Sequence, residues 1–254
     1  MKILVCIKQV ADMESRFVVS EGASWFEETD LAFRINEYDE FAIEAAVQLK
    51  ASLGEAEVTV LSAGPQRASD ALKKALAMGA DKAVLLLDPE APKKDSWQVA
   101  NLIADWAKPQ GFDLVLTGMQ SQDRGSGQVS LFLGELIGAN SVSCAVALEA
   151  SPGSIKVERE LEGGLRAQVE LSTPALVSCQ LGLNQPRYPT LPNIMKAKKK
   201  PFETIEVTAA LDPAQEVLWM GAPEKAGAAE LIEGDLASQV ERVVSILKDK
   251  KLVG

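Results

Sequence analysis

Between Gly118 and Val129 the chain reads GMQSQDRGSGQV, a stretch whose residue types could bind an anion. Gly125 and Gly127 permit positive φ and a close backbone approach to a ligand. Ser126, Gly127, Gln128 and Val129 open a helical period, so the first amides of that helix have no intrahelical partner. They face outward at the positive end of the helix dipole. A phosphate is the ligand such a loop suits. Its spacing is neither GxxxxGK[ST] nor GxGxxG, so neither a nucleoside triphosphatase nor an ordinary NAD enzyme is indicated. On these residues alone a second reading stands beside the first, a plain turn in which Ser126 caps the helix.

A second constellation runs from Asn184 to Lys200. Its prolines (Pro186, Pro189, Pro192) keep it out of a sheet, and Leu191, Ile194 and Met195 offer apolar anchors beside Lys196, Lys198, Lys199 and Lys200. A solvated basic loop is one reading. Transient docking on an acidic protein surface is the other, because apolar anchors within a basic rim suit it. A nucleic-acid patch is disfavoured by a net charge of −10.

Composition narrows the chemistry further. The chain has no histidine, which removes Ser-His-Asp triads, Cys-His dyads and imidazole acid–base catalysis. Its three cysteines, Cys6, Cys144 and Cys179, are far apart and form no CxxC pair, so no disulfide framework or zinc site is expected. Binding is favoured over catalysis, and no residue is nominated as acid, base or nucleophile. No apolar stretch is long enough to span a bilayer, and the start MKILVCIKQV reads as a β-strand. A cytoplasmic protein without direct membrane insertion is expected.

The elements that must position these residues alternate through the first half. KILVCI, EVTVLSA, KAVLLL and FDLVLTG read as strands, most of them apolar on both faces. Between them lie amphipathic helices, one from Glu40 with a polar stripe of Glu40, Glu44 and Gln48. This pattern predicts an α/β fold with a Rossmann-like parallel sheet covered by helices on both faces. Four short strands over 142–181 predict a β-rich extension, mixed or antiparallel. Residues 184–201 and 202–234 read as irregular, and Leu236, Val240, Val243, Val244 and Leu247 define a final amphipathic helix. The expected division is a nucleotide-binding domain over 1–184, a docking loop over 185–201 and an arm over 202–254. Ligands of open parallel sheets bind at the carboxyl ends of the strands. That places Cys6, the segment Asn36, Glu37, Tyr38 and Asp39, Ala63, and Gly118 onward around one site.

The run RYPTLPNIMKAKKKP closely resembles the recognition loop of electron-transfer flavoprotein β subunits. KILVCIKQV, Asn36 to Asp39, ALAMGAD and the REL-EGG turn do so too, in order along nearly the whole chain. The resemblance implies an obligate heterodimer with an α subunit that holds the redox-active FAD, the arm packing on that subunit. It also implies a structural AMP in this chain. AMP would be lined by Cys6, Asn36, Glu37, Tyr38, Asp39, Ala63, Gly118, Met119, Gln120, Ser121, Gln122, Asp123, Arg124 and Gly125, with phosphate at Ser126, Gly127, Gln128 and Val129. Leu191 would insert into flavoprotein dehydrogenases such as acyl-CoA dehydrogenases, with Pro192, Ile194, Met195, Lys196 and Lys199 around it. Met13 and Tyr38 would approach the flavin, and a membrane-bound quinone oxidoreductase would be an acceptor. The loop is shorter than the family's usual one, Ser126 stands for a threonine, Arg124 adds a charge, and Pro189 replaces a small residue. An alternative within the family is a second FAD in place of AMP, in a complex that oxidises NADH and bifurcates electrons. Outside it, a stress-type ATP-binding regulatory domain shares the layout but leaves 187–200 without a role.

Overall fold

The computed structural model describes residues 1–207, 211–222, 227 and 229–253. Part of the expected arm, residues 208–210, 223–226, 228 and 254, lies outside the described residues. The chain divides into two compact units, Met1–Met220 and Gly221–Gly254.

The first unit is built on a sheet of nine strands. Its parallel part comprises β1 (Lys2–Cys6), β4 (Glu57–Gly64), β5 (Lys82–Leu87), β6 (Leu114–Gly118), β10 (Ala175–Cys179) and β11 (Phe202–Glu206). β7 (Asn140–Ser151) joins it in parallel with β10, and β8 (Ser154–Glu160) and β9 (Arg166–Ser172) extend it as an antiparallel meander. The order across the sheet is β11-β5-β4-β1-β6-β10-β7-β8-β9. A separate ribbon pairs β2 (Gln9–Ala11) with β3 (Phe33–Ile35).

Strands apolar on both faces are explained by two cores. Ile3 and Val5 of β1 pack on one face with α1 (Glu37–Leu53) and α2 (Ser69–Met78), whereas Leu4 and Cys6 pack on the other with α3 (Ser96–Ala107) and α4 (Val129–Ile137). The same alternation divides Ala83 and Leu85 from Val84 and Leu86 in β5. This is the doubly covered parallel sheet that the hydrophobic pattern predicts.

Three elements differ from the sequence reading. α1 begins at Glu37 rather than Glu40, with Glu37, Asp39 and Glu40 in its first turn, where acidic side chains offset the helix dipole. The start is hidden in the sequence because Asp39 is buried although polar. Residues Leu191–Ala197 form a helix, α5, where no period was legible; Thr190 caps it by accepting from the Asn193 amide at 3.4 Å. Phe202–Glu206, read as irregular, forms β11 beside β5, since strand pairing supplies the hydrogen bonds that local sequence does not announce. The chain beyond is tied down as well. The Ala214 and Gln215 amides donate to Oδ2 of Asp95 at 2.6 and 2.8 Å.

In the second unit, Asp235 caps α6 (Leu236–Asp249) through the Ser238 amide at 2.8 Å. The expected stripe is present, and Leu236, Val240, Val243 and Val244 of it are exposed. No helix among the described residues is long and apolar enough to cross a membrane.

Candidate functional site

Strand order reverses beside β1, with β4 and β5 to one side and β6 to the other, so the carboxyl ends of β1 and β6 flank a crevice. Asp39 joins these two ends. Its Oδ2 accepts the Lys8 amide at 2.6 Å, and its Oδ1 accepts the Gly118 amide at 3.1 Å and Nδ2 of Asn36 at 3.0 Å. Burial pushes the Asp39 carboxyl up to about 7, against the pull of those donors and of Lys8 toward the anion. Gly118 is required at its place, because a Cβ there would overlap Oδ1 of Asp39 and lie 2.7 Å from Cβ of Tyr38.

Asn36 organises the loop after β6. Its Nδ2 donates to the Gln120 carbonyl at 2.9 Å, and its Oδ1 accepts the Gln122 amide at 2.9 Å. Nε2 of Gln122 reaches Oε2 of Glu37 at 2.9 Å, and Nε2 of Gln120 reaches the Tyr38 hydroxyl at 3.3 Å. Lys8 Nζ lies 2.7 Å from both carboxylate oxygens of Asp123. Burial lowers the Lys8 ammonium pKa, opposed by Asp123. The loop is therefore braced by α1 and by the end of β1 before any ligand arrives.

Above this brace lies a cleft of about 940 Å³, its open mouth included. Of the residues expected around a ligand, it brings together Asn36, Asp39, Ala63, Gly118, Met119, Gln120, Ser121, Arg124, Ser126, Gly127, Gln128 and Val129. Cys6 lies beneath the wall in the core, and burial raises its thiol pKa far above the ordinary range. Glu37, Tyr38, Gln122 and Asp123 stand behind the wall and hold the loop, and Gly125 lies outside it with its amide on the Ser121 carbonyl at 2.7 Å. Met13 is exposed and apart from the cleft wall.

The walls also contain residues that the sequence reading did not single out. Ser62 of β4 and Thr117 of β6 line the cleft, and their buried hydroxyls have no hydrogen-bond partner. Buried polar atoms are ordinarily satisfied, and these two residues of one cleft wall are exceptions to that rule. The sequence does place a hydroxyl near the carboxyl end of each strand, Ser62 in β4 and Thr117 in β6. Asp95 and Ser96 reach the cleft from the start of α3, where Asp95 and Gln98 form a capping box, and Oγ of Ser96 lies 3.0 Å from Oγ of Ser126.

Most cations of the cleft are already engaged. Lys8 pairs with Asp123, Arg67 with Glu28 at 2.7 Å, and Lys94 with Asp88. Arg124 differs. Its guanidinium donates to the Pro92 carbonyl at 2.7 Å and lies 4.8 Å from the Trp25 ring centre, its Nε is buried without a partner, and among the described residues no carboxylate comes within ion-pair distance of it. Gly127 has φ +62° at the entry to α4, whose Gln128 end carries no side-chain cap. The arrangement offers free helix amides, orphan hydroxyls and one cation without a carboxylate, which together suit a phosphorylated nucleoside.

The docking constellation lies elsewhere, on the outer side of α2. Leu191 is 78% exposed, and Tyr188, Ile194 and Met195 are exposed with it; Pro192, Lys196 and Lys199 belong to the same helix and its end.

The chain is similar to known proteins over most of its length. The family model described as "Electron transfer flavoprotein domain" matches residues 24–210. A protein of Bacillus subtilis (strain 168) named electron transfer flavoprotein subunit beta is 35% identical, with 100% of both chains covered. Proteins of the same name from Methylophilus methylotrophus and Homo sapiens are 34% and 36% identical, covering 99% of both chains and 81% of both chains.

Proposed function

The chain belongs to the electron transfer flavoprotein β-subunit family, and from that premise we propose that it is the nucleotide-holding, partner-docking half of a heterodimer. The α subunit would carry the FAD, which supplies the redox chemistry. Electrons would come from flavoprotein dehydrogenases such as acyl-CoA dehydrogenases and leave to a quinone oxidoreductase. This chain would contribute no acid, base or nucleophile.

AMP is the proposed ligand of the cleft, as a structural element. The observation that carries this reading is the uncapped start of α4 after Gly127, whose free amides open on a cleft that Ser62 and Thr117, with unpartnered hydroxyls, also line. The amides following Gly127 would hold the phosphate, with Arg124 as a cation of the wall that is held in no ion pair among the described residues. Because the lysines of the cleft are engaged internally, backbone donors rather than lysine side chains would set the affinity. Asp39 and Asn36 would act from behind, fixing the loop that presents those donors.

A second FAD in place of AMP is the alternative, favoured by the extent of the cleft, which runs past Gly64 and Pro65 to Gln9 and Arg67. Denaturing the purified heterodimer and identifying the released nucleotides separates the two. One FAD with one AMP per heterodimer supports the carrier. Two FADs support the bifurcating complex, and a single FAD with no second nucleotide refutes both assignments of the cleft. Docking of dehydrogenases is assigned to α5, an exposed apolar face with a lysine rim on an otherwise acidic chain.

A further inference from the structure

The segment that carries α5 contains more cations than its surface uses. Arg187 and Lys200 flank the helix, and the head group of each is engaged by the body of the protein, Arg187 lying over Glu44 from the surface. Nε of Arg187 donates to Oε2 of Glu44 at 2.7 Å and its Nη2 to Oε1 at 2.8 Å, a bidentate fork, while its backbone amide adds a third bond to Oε2 at 3.3 Å. Glu44 lies on α1 and is only 3% exposed, although the sequence places it on a polar stripe. Gln48 completes its shell from the next turn at 2.9 Å. At the other end Nζ of Lys200 donates to the Leu76 carbonyl in the last turn of α2 at 2.9 Å and to the Ala80 carbonyl just beyond that helix at 2.5 Å.

A helix as short as α5 does not hold itself in water, because its nucleation cost exceeds what its few internal bonds return. Its only buried residue is Ala197. Its orientation therefore comes from Ala197, which packs into the core beside α2, and from its two ends. We infer that Arg187 and Lys200 are positioning residues, which staple the docking helix to α1 and α2 and leave Lys196, Lys198 and Lys199 to face the partner.

The inference rests on the docking role of α5 proposed above. It divides one basic cluster into two functions. The engaged pair removes the freedom of the segment before encounter, so that less ordering is lost on binding, and the outward three meet an acidic partner surface. Arginine suits the first position because a planar fork matches a buried carboxylate, and lysine would retain the charge but lose the fork.

The test uses the purified heterodimer with its flavin. Arg187→Ala, Glu44→Gln, Arg187→Lys and Leu191→Ala are compared by amide hydrogen exchange of the 188–199 segment and by steady-state reduction of the complex by an acyl-CoA dehydrogenase. Arg187→Ala and Glu44→Gln are each expected to raise exchange in that segment at least tenfold. Each should also raise KM for the complex about fivefold with kcat unchanged, and the double variant should do no more. Arg187→Lys should lie between them and the parent. Unchanged exchange in Arg187→Ala overturns the staple. A raised KM in Arg187→Ala with none in Glu44→Gln also overturns it, since Arg187 would then be touching the partner itself. Faster exchange with unchanged KM, while Leu191→Ala raises KM, overturns positioning and leaves docking intact. If Leu191→Ala has no effect either, the docking reading falls, and the functional half of the inference falls with it. Lys200→Met, at the opposite end, must show the same pattern of exchange, and loosening confined to Arg187 variants overturns its share.

Discussion

Gly118 and Asp39 meet so closely that a Cβ on the first would overlap Oδ1 of the second, while the Gly118 amide donates to that same oxygen. The end of β6 and the start of α1 are thereby fitted to one another, and the cleft takes its floor from the fit. Gly118→Ala is expected to force Asp39 out of place, costing about 2–4 kcal/mol in unfolding free energy, the range of overpacked buried sites that also lose hydrogen bonds. Bound nucleotide should fall with it. Denaturant unfolding at parental stability would refute the fit.

The raised pKa of Asp39 sets a pH dependence. Its folded value of about 7 exceeds its ordinary value of 3.8, so the folded state keeps a proton that the unfolded state releases. The stability contribution of Asp39 is complete below about pH 4 and declines as pH rises toward 7, by about 1.4 kcal/mol per pH unit at most. Asp39→Asn removes that slope. Between pH 4 and pH 7 the unfolding free energy of the parent should fall relative to that of Asp39→Asn as pH rises, and parallel curves would contradict the raised value.

Arg124 lies in the cleft wall with no carboxylate within ion-pair distance among the described residues. Arg124→Met is expected to lower retained nucleotide about tenfold in affinity, measured by isothermal titration of the nucleotide-stripped heterodimer. The effect should shrink at high salt, since a charge–phosphate contact is screened. An equal loss at all salt concentrations would mean that Arg124 acts by packing on Trp25.

Leu191 is exposed on α5 and touches no core. Leu191→Ala should leave thermal unfolding within about 0.5 kcal/mol of the parent, as expected of a surface substitution. Reduction by a partner dehydrogenase should slow about tenfold in kcat/KM. Unimpaired reduction removes Leu191 from docking.

The stripe on α6 exposes Leu236, Val240, Val243 and Val244. Val240→Asp combined with Val243→Asp is predicted to reduce co-purification with the α subunit, because charges would replace apolar surface at the proposed contact. An undiminished heterodimer on size-exclusion chromatography would count against that face.

The order of elements was legible because it is written in short-range periodicity. Alternating Ile3 and Leu4, or Ala83 and Val84, serve opposite cores and so appear as runs apolar on both faces. The glycine-bearing loop and the lysine-rich segment were legible as compositions, and the family resemblance followed from their order. Tertiary structure alone decided what the polar residues do. Glu44 reads as one of a solvated stripe, yet Arg187, distant in sequence, buries it. Asp39 reads as a first-turn acid but joins Lys8 to Gly118. Ser62 and Thr117 acquire meaning only when three strand ends close on a common space. α5 and β11 escaped the sequence for the same reason, since one is fixed by its ends and the other by a neighbouring strand. Local pattern reports which residues are apolar and how often. It is silent about a polar group's partner, because that partner is chosen by folding across the chain and not by spacing along it.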